Sequence, residues 1–346
     1  MAGTLSDFLS LTKPRVVILL QITAICSIIV HDMTRGGLEF GSIRTMGIVL
    51  VGGFLTAGGA NSINMWYDRD IDPIMKRTSG RAIPSGKVNS GQALIFGIVI
   101  SFLGVFWFVA LANSVAAFWS AFSILFYVLV YSMWLKRRTP QNIVIGGIAG
   151  STPPIIGWAA SEEGLSISMD SVESMTYSVL ELGSPLPWFM FALIFLWTPP
   201  HFWALALYRS KEYAEVGVPM MPNEKGANRT ILEMKFYCLM LVLLSITSPF
   251  CFETISEDDW SFHLLGWNAV GLSIWYASTV WRIDVSEEPD ETGRIASAAN
   301  SFFVSMLYLA LMFVVLVSAS FGTIGAMIGV FISLGMIGKS ELSTSS

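Results

Sequence analysis

Residues 64–81 read Asn64-Met-Trp-Tyr-Asp68-Arg-Asp-Ile-Asp72-Pro-Ile-Met-Lys76-Arg77-Thr-Ser-Gly-Arg81, where a long apolar segment gives way to a strongly basic one. Asn64, Asp68 and Asp72 stand four residues apart. Four residues turn an α-helix by about 400°, so these side chains share one helix face, and Asp70 falls on the other side. Because the residue before a proline disfavours helical geometry, we expect the helix to end at Asp72.

Three ligand-type side chains on one helix face predict a site for a divalent cation. The helix dipole disfavours carboxylates at a helix C-terminus, and a bound cation would offset that cost. Mg²⁺ is typically held by one or two carboxylates together with substrate phosphates. Lys76, Arg77 and Arg81 follow at once and could take the remaining phosphate charge. An ordinary polar helix end, solvated and paired with neighbouring arginines, is the alternative.

The composition indicates a polytopic membrane protein. Of 346 residues, 53% are hydrophobic and only 13% are charged, whereas a soluble domain has about 25% charged residues. The mean hydropathy of +0.63 agrees. Cys26, Cys238 and Cys251 are scattered and fit neither a metal site nor a disulfide framework. The N-terminal residues lack the basic region of a signal peptide and the Arg-rich stretch of a transit peptide, so we expect neither.

Apolar stretches long enough to cross a membrane, which takes roughly 20 residues, recur along the whole chain. Nine of these stretches lie at about 15–33, 43–66, 90–112, 114–134, 142–160, 188–208, 230–252, 262–281 and 300–319. A tenth, Gly-rich stretch at about 322–338 is either a last span or an interfacial piece. The sequence therefore predicts an all-helical protein with nine or ten membrane spans.

Basic residues are concentrated on one side of the predicted membrane. In this arrangement 17 of the 20 lysines and arginines share one side, and only Arg35 and Arg44 fall on the other, which carries acidic loops. Because lysine and arginine are retained in cytoplasmic loops, the N-terminus and the basic loops are predicted to be cytoplasmic. Lys339 favours a cytoplasmic C-terminus, and with it a tenth span.

A second basic segment, Tyr131-Ser-Met-Trp-Leu-Lys136-Arg137-Arg138, follows the fourth predicted span. Alone, such a cluster after a membrane span is usually just a positive-inside anchor. It lies on the same predicted side of the membrane as Asp68 and Asp72, which favours a second role in binding phosphate.

A third segment, Trp197-Thr-Pro199-Pro200-His201, lies inside the sixth predicted span. Paired prolines interrupt the helical hydrogen-bond ladder and predict a kink. Within membranes such backbone occurs where it lines a cavity or is buried in protein. An ionisable residue there is a functional candidate, although a histidine bonded to a freed carbonyl is the alternative. His31 and His263 fall in predicted outer loops and receive no role.

Together these segments resemble the UbiA-type intramembrane prenyltransferases. Asn64, Asp68 and Asp72, followed by the basic run to Arg81, are similar to the first Asp-rich motif of that family. Later stretches narrow the resemblance to the heme O synthase branch, and it covers about residues 10–318. These stretches are Tyr131 to Thr139, Gly146-Gly147 to Pro153-Pro154 and Gly157, Pro200-His201-Phe202 to Tyr213, Gly217 to Pro219, and Met221-Pro222.

The resemblance implies one UbiA-type domain over residues 1–346, with its core at about 10–318. Its helices would surround a central cavity that opens to the cytoplasmic side and laterally to lipid. Residues 320–346 would add an extra span and a polar tail. The implied setting is the plasma membrane of a prokaryotic cell, with the N-terminus and the active-site loops in the cytoplasm.

The implied reaction moves a farnesyl group from farnesyl diphosphate to the 2-vinyl of protoheme IX, with addition of water, and gives heme O. Mg²⁺ on Asn64, Asp68 and Asp72 would grip the diphosphate. Basic groups would neutralise charge as the C–O bond breaks. With the three metal ligands, the implied catalytic residues are Lys76, Arg77, Arg81, Lys136 and Arg137. The implied substrate-binding residues are His201, Tyr131, Tyr208, Arg209 and Lys211.

One departure from the superfamily pattern concerns the segment after the sixth span. Most UbiA-type enzymes carry a second Asp-rich motif there, whereas this chain has Tyr208, Arg209, Lys211, Glu212 and Tyr213. The departure argues against a second protein-bound metal. Arg209 and Lys211 could instead hold the charge of the diphosphate or of a heme propionate, and His201 could ligate the heme iron or place the ring.

The implied partners, besides the two substrates and membrane lipid, are heme A synthase or the terminal oxidase assembly, with no nucleic acid. Two other functions stay open at this point. A quinone, chlorophyll or lipid prenyltransferase would keep the metal site and accept a different ring. A transporter could also use kinked helices and buried charge, but its acidic residues would be expected near the membrane midplane.

Overall fold

Helices make up all the regular secondary structure in the part of the chain that the structure describes. This structure is a computed structural model, and it describes residues 3–75, 78–208, 217–287 and 295–345. The helices group into two compact units, the first built essentially from α1 to α8 and the second from α9 to α14.

The first unit contains the helix that carries the Asp-rich stretch. A π-helical segment, Phe126–Leu135, continues its fifth helix, and a 3₁₀ turn, Asp68–Asp70, follows its third. The fifth predicted span consists of two short helices that meet at Thr152, before Pro153. The helices of this unit are α1 Leu5–Leu11, α2 Pro14–Thr34, α3 Phe40–Tyr67, α4 Ser90–Leu111, α5 Ser114–Leu125, α6 Asn142–Ser151, α7 Pro153–Ser161 and α8 Val172–Leu180.

The second unit contains the helix with the paired prolines. Its helices are α9 Leu186–Tyr208, α10 Met221–Lys225, α11 Ala227–Ile246, α12 Trp260–Trp281, α13 Ala296–Ala319 and α14 Gly322–Ser345. The helix α9 continues through Pro199 and Pro200 to Tyr208.

Eight helical spans among the described residues are long and apolar enough to cross a membrane. They are α2, α3 with its 3₁₀ turn, α4, α5 with the π-helical segment, α6 with α7, α9, α13 and α14. The helices α11 and α12 have 20 and 22 residues, and at 1.5 Å per residue each is about as long as a bilayer core is thick. The prediction of an all-helical, multi-pass membrane protein is confirmed.

The helix α14, which corresponds to the tenth predicted stretch, runs parallel to α12 and contacts it near both ends. At its start, the Thr323 hydroxyl donates to Asp259 Oδ1 over 2.7 Å. Towards its end, Glu341 accepts from Trp275 Nε1 over 2.8 Å and pairs with Arg282 over 3.2 Å. Contacts this far apart along both helices favour a full span over an interfacial piece.

Small residues let α3 pack closely against α4, and this packing holds the C-terminal end of α3 in place. A Cβ on Gly59 would lie 2.1 Å from Ser101 Oγ of α4, so only glycine allows this contact. Further along α3, the Ser62 hydroxyl donates to the Ala93 carbonyl of α4 over 2.9 Å. Asn64 follows Ser62 by two residues, so the Asp-rich stretch begins on a closely packed part of the helix.

Two expectations about local structure are wrong. The helix α3 ends at Tyr67 and not at Asp72, because the chain tightens into the 3₁₀ turn at Asp68 before Pro73 can act. His31 and His263 lie in helices, α2 and α12, and not in outer loops. His31 is buried between two carboxylates, with Nδ1 2.6 Å from Asp32 and Nε2 3.0 Å from Glu162.

Candidate functional site

Asn64, Asp68 and Asp72 are buried together at the end of α3. Their exposed fractions are 3%, 1% and 2%. Asn64 Nδ2 donates to Asp68 Oδ2 over 3.1 Å. The amide of Asp72 still donates to the Asp68 carbonyl over 2.9 Å, which keeps helical spacing across the 3₁₀ turn. By contrast, the side chain of Asp70 is 57% exposed.

Each of the two buried carboxylates already has a cationic partner. Lys136 Nζ donates to Asp68 Oδ2. Arg81 Nη1 donates to both oxygens of Asp72, over 2.9 and 2.8 Å. The cations that the sequence placed in two separate basic segments therefore meet at one carboxylate cluster.

Arg137 lies at the edge of this cluster and is closer to the carboxylate of Asp70 than to that of Asp68. Its Nη2 is 3.7 Å from Asp68 Oδ1, whereas its guanidinium donates to both oxygens of Asp70 over 2.6 and 2.7 Å. The guanidinium also lies 4.8 Å from the ring centre of Tyr67, a distance typical of a cation–π contact. The hydrogen bonds to Asp70 raise the pKa of Arg137 above its ordinary value.

Lys13, one of the 17 basic residues on the predicted cytoplasmic side, is a further member of the cluster. Its Nζ donates to Asn64 Oδ1 over 3.0 Å. Its backbone is left-handed, with φ +51°, which is uncommon for a residue other than glycine and marks local strain. Burial, and then the nearby charges of Arg81 and Lys136, lower the pKa of Lys13 to about 7. The contact joins residues 51 positions apart, and no local spacing signals it.

The π-helical segment that follows α5 supplies Ser132 and ends beside Lys136. Within it, the amide of Lys136 donates to the carbonyl of Tyr131 over 2.8 Å, five residues back. Ser132 Oγ accepts from Asn64 Nδ2 over 3.0 Å. Wide helical turns of this kind often occur at functional sites. Tyr131 itself stacks on Tyr127, with ring centres 5.5 Å apart.

The position of the Tyr131 ring also explains why residue 146, the first of the Gly146-Gly147 pair, is a glycine. A Cβ on Gly146 would lie 2.3 Å from Tyr131 Cδ2. Tyr131 therefore packs flat on the glycine of α6, and any side chain at that position would displace its ring. Its place as a substrate-binding residue stays a prediction.

His201 lies in the second unit and is 7% exposed. Its Nδ1 is 2.6 Å from Ser305 Oγ of α13. Its ring stacks on Trp197 and on Phe302, with centres 4.1 and 4.8 Å apart. The expected alternative, a bond to a freed helix carbonyl, is replaced by a bond to a hydroxyl on another helix. Tyr208, the last residue of α9, is partly buried.

Several predicted site residues fall outside the part of the chain that the structure describes. They are Lys76, Arg77, Arg209 and Lys211, together with Glu212 and Tyr213. Their roles stay predictions.

The donor set at the cluster fits a magnesium ion held jointly with a phosphate ligand. No group of three His, Cys, Asp or Glu residues with metal-site geometry occurs among the residues described here. The two carboxylates of Asp68 and Asp72 match the one or two that Mg²⁺ usually takes from protein when phosphate completes its coordination. In addition, Asp68 Oδ1 is fully buried without a hydrogen-bond donor, and a buried acceptor of this kind is suited to binding a cation.

The helical fold and the site define the class of the protein. The chain belongs to the UbiA prenyltransferase family, whose sequence model matches residues 24–298. It is 40% identical over 332 residues to the protoheme IX farnesyltransferase of Beijerinckia indica subsp. indica, an alignment that covers 96% of this chain and 93% of that relative.

Two solved structures share the fold at low sequence identity. The structure of a digeranylgeranylglyceryl phosphate synthase superposes with a TM-score of 0.67 at 16% identity and covers 92% of this chain and 99% of its own. A UbiA homolog from Archaeoglobus fulgidus bound to DMAPP and Mg²⁺ superposes with a TM-score of 0.58 at 13% identity and covers 94% and 99%. The predicted UbiA-type fold is therefore confirmed.

Proposed function

We propose that this chain transfers a farnesyl group from farnesyl diphosphate to the 2-vinyl of protoheme IX, with addition of water, and releases heme O and diphosphate. The proposal takes the whole chain as one catalytic domain. The observation that carries it is the buried pair Asp68 and Asp72, surrounded by Lys13, Arg81 and Lys136. The name of the relative from Beijerinckia indica, which is similar over almost the whole chain, supports this pair of substrates.

The proposed cofactor is Mg²⁺, held by Asp68 and Asp72 together with Asn64. The Archaeoglobus fulgidus homolog bound to DMAPP and Mg²⁺ supports this assignment. Bound there, the ion would act as a Lewis acid that binds the diphosphate oxygens. Asn64 has a second role, because its Nδ2 donates to Asp68 and so orients that carboxylate.

The basic groups carry out the charge stabilisation of the first step. As the bond between farnesyl C1 and oxygen breaks, negative charge grows on the leaving diphosphate. Cations fixed in place before the reaction stabilise that charge most strongly where water is excluded. The proposed set is Lys13, Lys76, Arg77, Arg81, Lys136 and Arg137.

The second step forms a carbon–carbon bond. The terminal carbon of the 2-vinyl attacks farnesyl C1, which leaves a cation on the vinyl carbon next to the macrocycle. Water adds to that carbon and loses a proton, which gives the hydroxyl of heme O. The membrane-embedded helices protect the allylic cation from early capture by water. His201, Tyr131, Tyr208, Arg209 and Lys211 are the proposed contacts to heme or diphosphate.

The direct test is mass analysis of heme extracted from membranes that contain the chain. Supplied with protoheme IX and farnesyl diphosphate, these membranes should accumulate heme O. Membranes with the Asp68→Asn variant are the matched control. If protoheme stays unmodified and a prenylated quinone or lipid forms instead, the enzyme uses another acceptor. If farnesyl diphosphate is not consumed at all, the chain has no prenyltransferase activity.

The proposed setting is the plasma membrane of a prokaryotic cell, with the N-terminus and the carboxylate cluster on the cytoplasmic side. The excess of basic residues on one side supports it, and heme A synthase or the terminal oxidase assembly would receive the product. Single cysteines in place of the exposed Ser79 and Lys225 should be labelled from the cytoplasmic side, and those in place of Asp170 and Asp258 from the outside. Labelling of positions 79 and 225 from opposite sides would contradict the orientation.

Lys136→Ala should lower turnover strongly, whereas Arg138→Ala should not. Lys136 bonds directly to the buried Asp68, and a hydrogen bond to a charged group contributes about 1.5–3 kcal/mol, or roughly 10–150-fold in rate. Arg138 belongs to the same basic cluster but is exposed. Steady-state kinetics of both variants, at equal amounts in the membrane, measures the difference. Similar losses in the two variants would make the cluster a topology anchor only.

A further inference from the structure

Ser305 makes two short hydrogen bonds that together determine where the protons of His201 lie. Its Oγ is 2.6 Å from the carbonyl oxygen of Phe302, one helical turn back on α13. The same Oγ is 2.6 Å from His201 Nδ1. A serine hydroxyl has a single proton to donate, and a carbonyl can only accept. The hydroxyl therefore donates to Phe302 and accepts from His201.

The bond pattern requires the proton of the neutral imidazole to be on Nδ1. The lone pair is then on Nε2, which makes no hydrogen bond to any residue in the described ranges. In metal sites, the hydrogen bond made by one ring nitrogen sets which nitrogen binds the metal. His201 is thus held in the form in which Nε2 can bind a metal.

The surroundings of the ring limit its rotation. Trp197 and Phe302 stack on it with interplanar angles of 22° and 26°. Trp197 Nε1 also donates to the backbone carbonyl of Ser305 over 2.7 Å, so α9 and α13 are joined at both the side chain and the backbone of this serine. The stacking fixes the plane of the ring, and the bond from Nδ1 to Ser305 fixes which ring nitrogen faces α13.

We propose that Ser305 is a positioning residue that presents Nε2 of His201 to the iron of the heme substrate. This inference rests on the proposed function, because it takes protoheme IX as the ligand. Ser305 acts through His201 and does not itself touch the heme. Axial ligation by Nε2 would fix the macrocycle and so select the vinyl group that meets the farnesyl cation.

The experiment is a heme titration by absorbance on the purified full-length protein, with variants of the hydroxyl. Ser305→Ala should weaken heme binding by about 10–100-fold, the usual effect of removing the partner of a metal-binding histidine. It should also reduce the absorbance band that His201→Ala abolishes. Ser305→Thr keeps the hydroxyl and should restore both. Ser301→Ala, one turn away and bonded to Thr279 over 3.3 Å, should change neither.

Two results would overturn the inference. The first is an unchanged band and affinity in Ser305→Ala. The second is an equal loss in the alanine and threonine variants, which would assign the effect to packing. Affinity for farnesyl diphosphate, measured on the same samples, should stay constant throughout. If the wild-type protein makes heme O without a band that depends on His201, only the positioning inference fails; if it neither binds heme nor makes heme O, the proposed function fails as well.

Discussion

Asp68→Asn will remove nearly all prenyl transfer, with a loss in kcat of about 10²–10³-fold, the range found when one preorganised electrostatic group is removed from an active site. The side chain is 1% exposed, pairs with Lys136, and keeps Oδ1 buried without a donor. A neutral amide binds Mg²⁺ far less well than a carboxylate, and it places an N–H₂ group where an acceptor is needed. Folding and membrane insertion should be retained, because the amide has nearly the same shape.

The control for this variant is Asp70→Asn, the same chemical change two residues away. Asp70 is 57% exposed and bonds to Arg137 at the rim of the cluster. Exposed ion pairs contribute at most about 1 kcal/mol, so the loss should stay below about fivefold. Product formation and Mg²⁺-dependent diphosphate binding, measured for both variants, give the comparison. Equal sensitivity at the two positions would contradict the assignment of the buried helix face to the metal.

His201→Ala will abolish the heme absorbance band of a histidine-ligated iron and lower heme affinity by at least about 10–100-fold, the loss expected when even an outer contact of a metal ligand is removed. Affinity for farnesyl diphosphate should remain nearly unchanged, because the carboxylate cluster lies on other helices. A quinone substrate has no use for an iron ligand, so this variant also separates the two ring substrates.

Two binding measurements on one sample decide the outcome for His201. Heme titration reports the iron contact, and diphosphate binding reports the integrity of the fold. Equal loss of both affinities would give His201 a structural role beside the paired prolines. Full retention of the heme band would exclude ligation by His201, and any iron ligand would then have to be another residue.

The membrane spans could be predicted from the sequence because hydropathy is a local property. Each predicted stretch is helical, although the fifth is divided into two short helices. The four-residue spacing of Asn64, Asp68 and Asp72 is also preserved, because the Asp72 amide still donates to the Asp68 carbonyl beyond the end of α3. The end of α3, by contrast, lies at Tyr67 and could not be predicted from the local sequence. Proline acts on its immediate neighbour, whereas the tightening at Asp68 accompanies ion pairs that reach across the fold.

Lys13 and Ser305 could not be predicted as functional residues from the sequence, and the physical reason is the same for both. Lys13 meets Asn64 across 51 positions of sequence, and Ser305 meets His201 across 104. Serine is common in membrane helices, and a lysine before a first span is an ordinary topology signal. Neither has a spacing that distinguishes it, so only the packing of distant helices reveals them. The π-helical segment was missed for a related reason, since its sequence is as apolar as that of any span.

The pairing of Asp68 with Lys136, and of Asp72 with Arg81, has a consequence for how the substrate enters. A buried carboxylate without a partner is strongly destabilising, by about 3–5 kcal/mol when an existing pair is broken, yet here both are neutralised before any ligand arrives. Under the proposed function, Asp68 and Asp72 would exchange Lys136 and Arg81 for a magnesium ion, which would supply Lewis-acid chemistry there, and the two released cations would be free to bind the phosphates. Net charge inside the protein changes little, so the resting enzyme can be inserted and stored in the membrane with its reactive groups already in place.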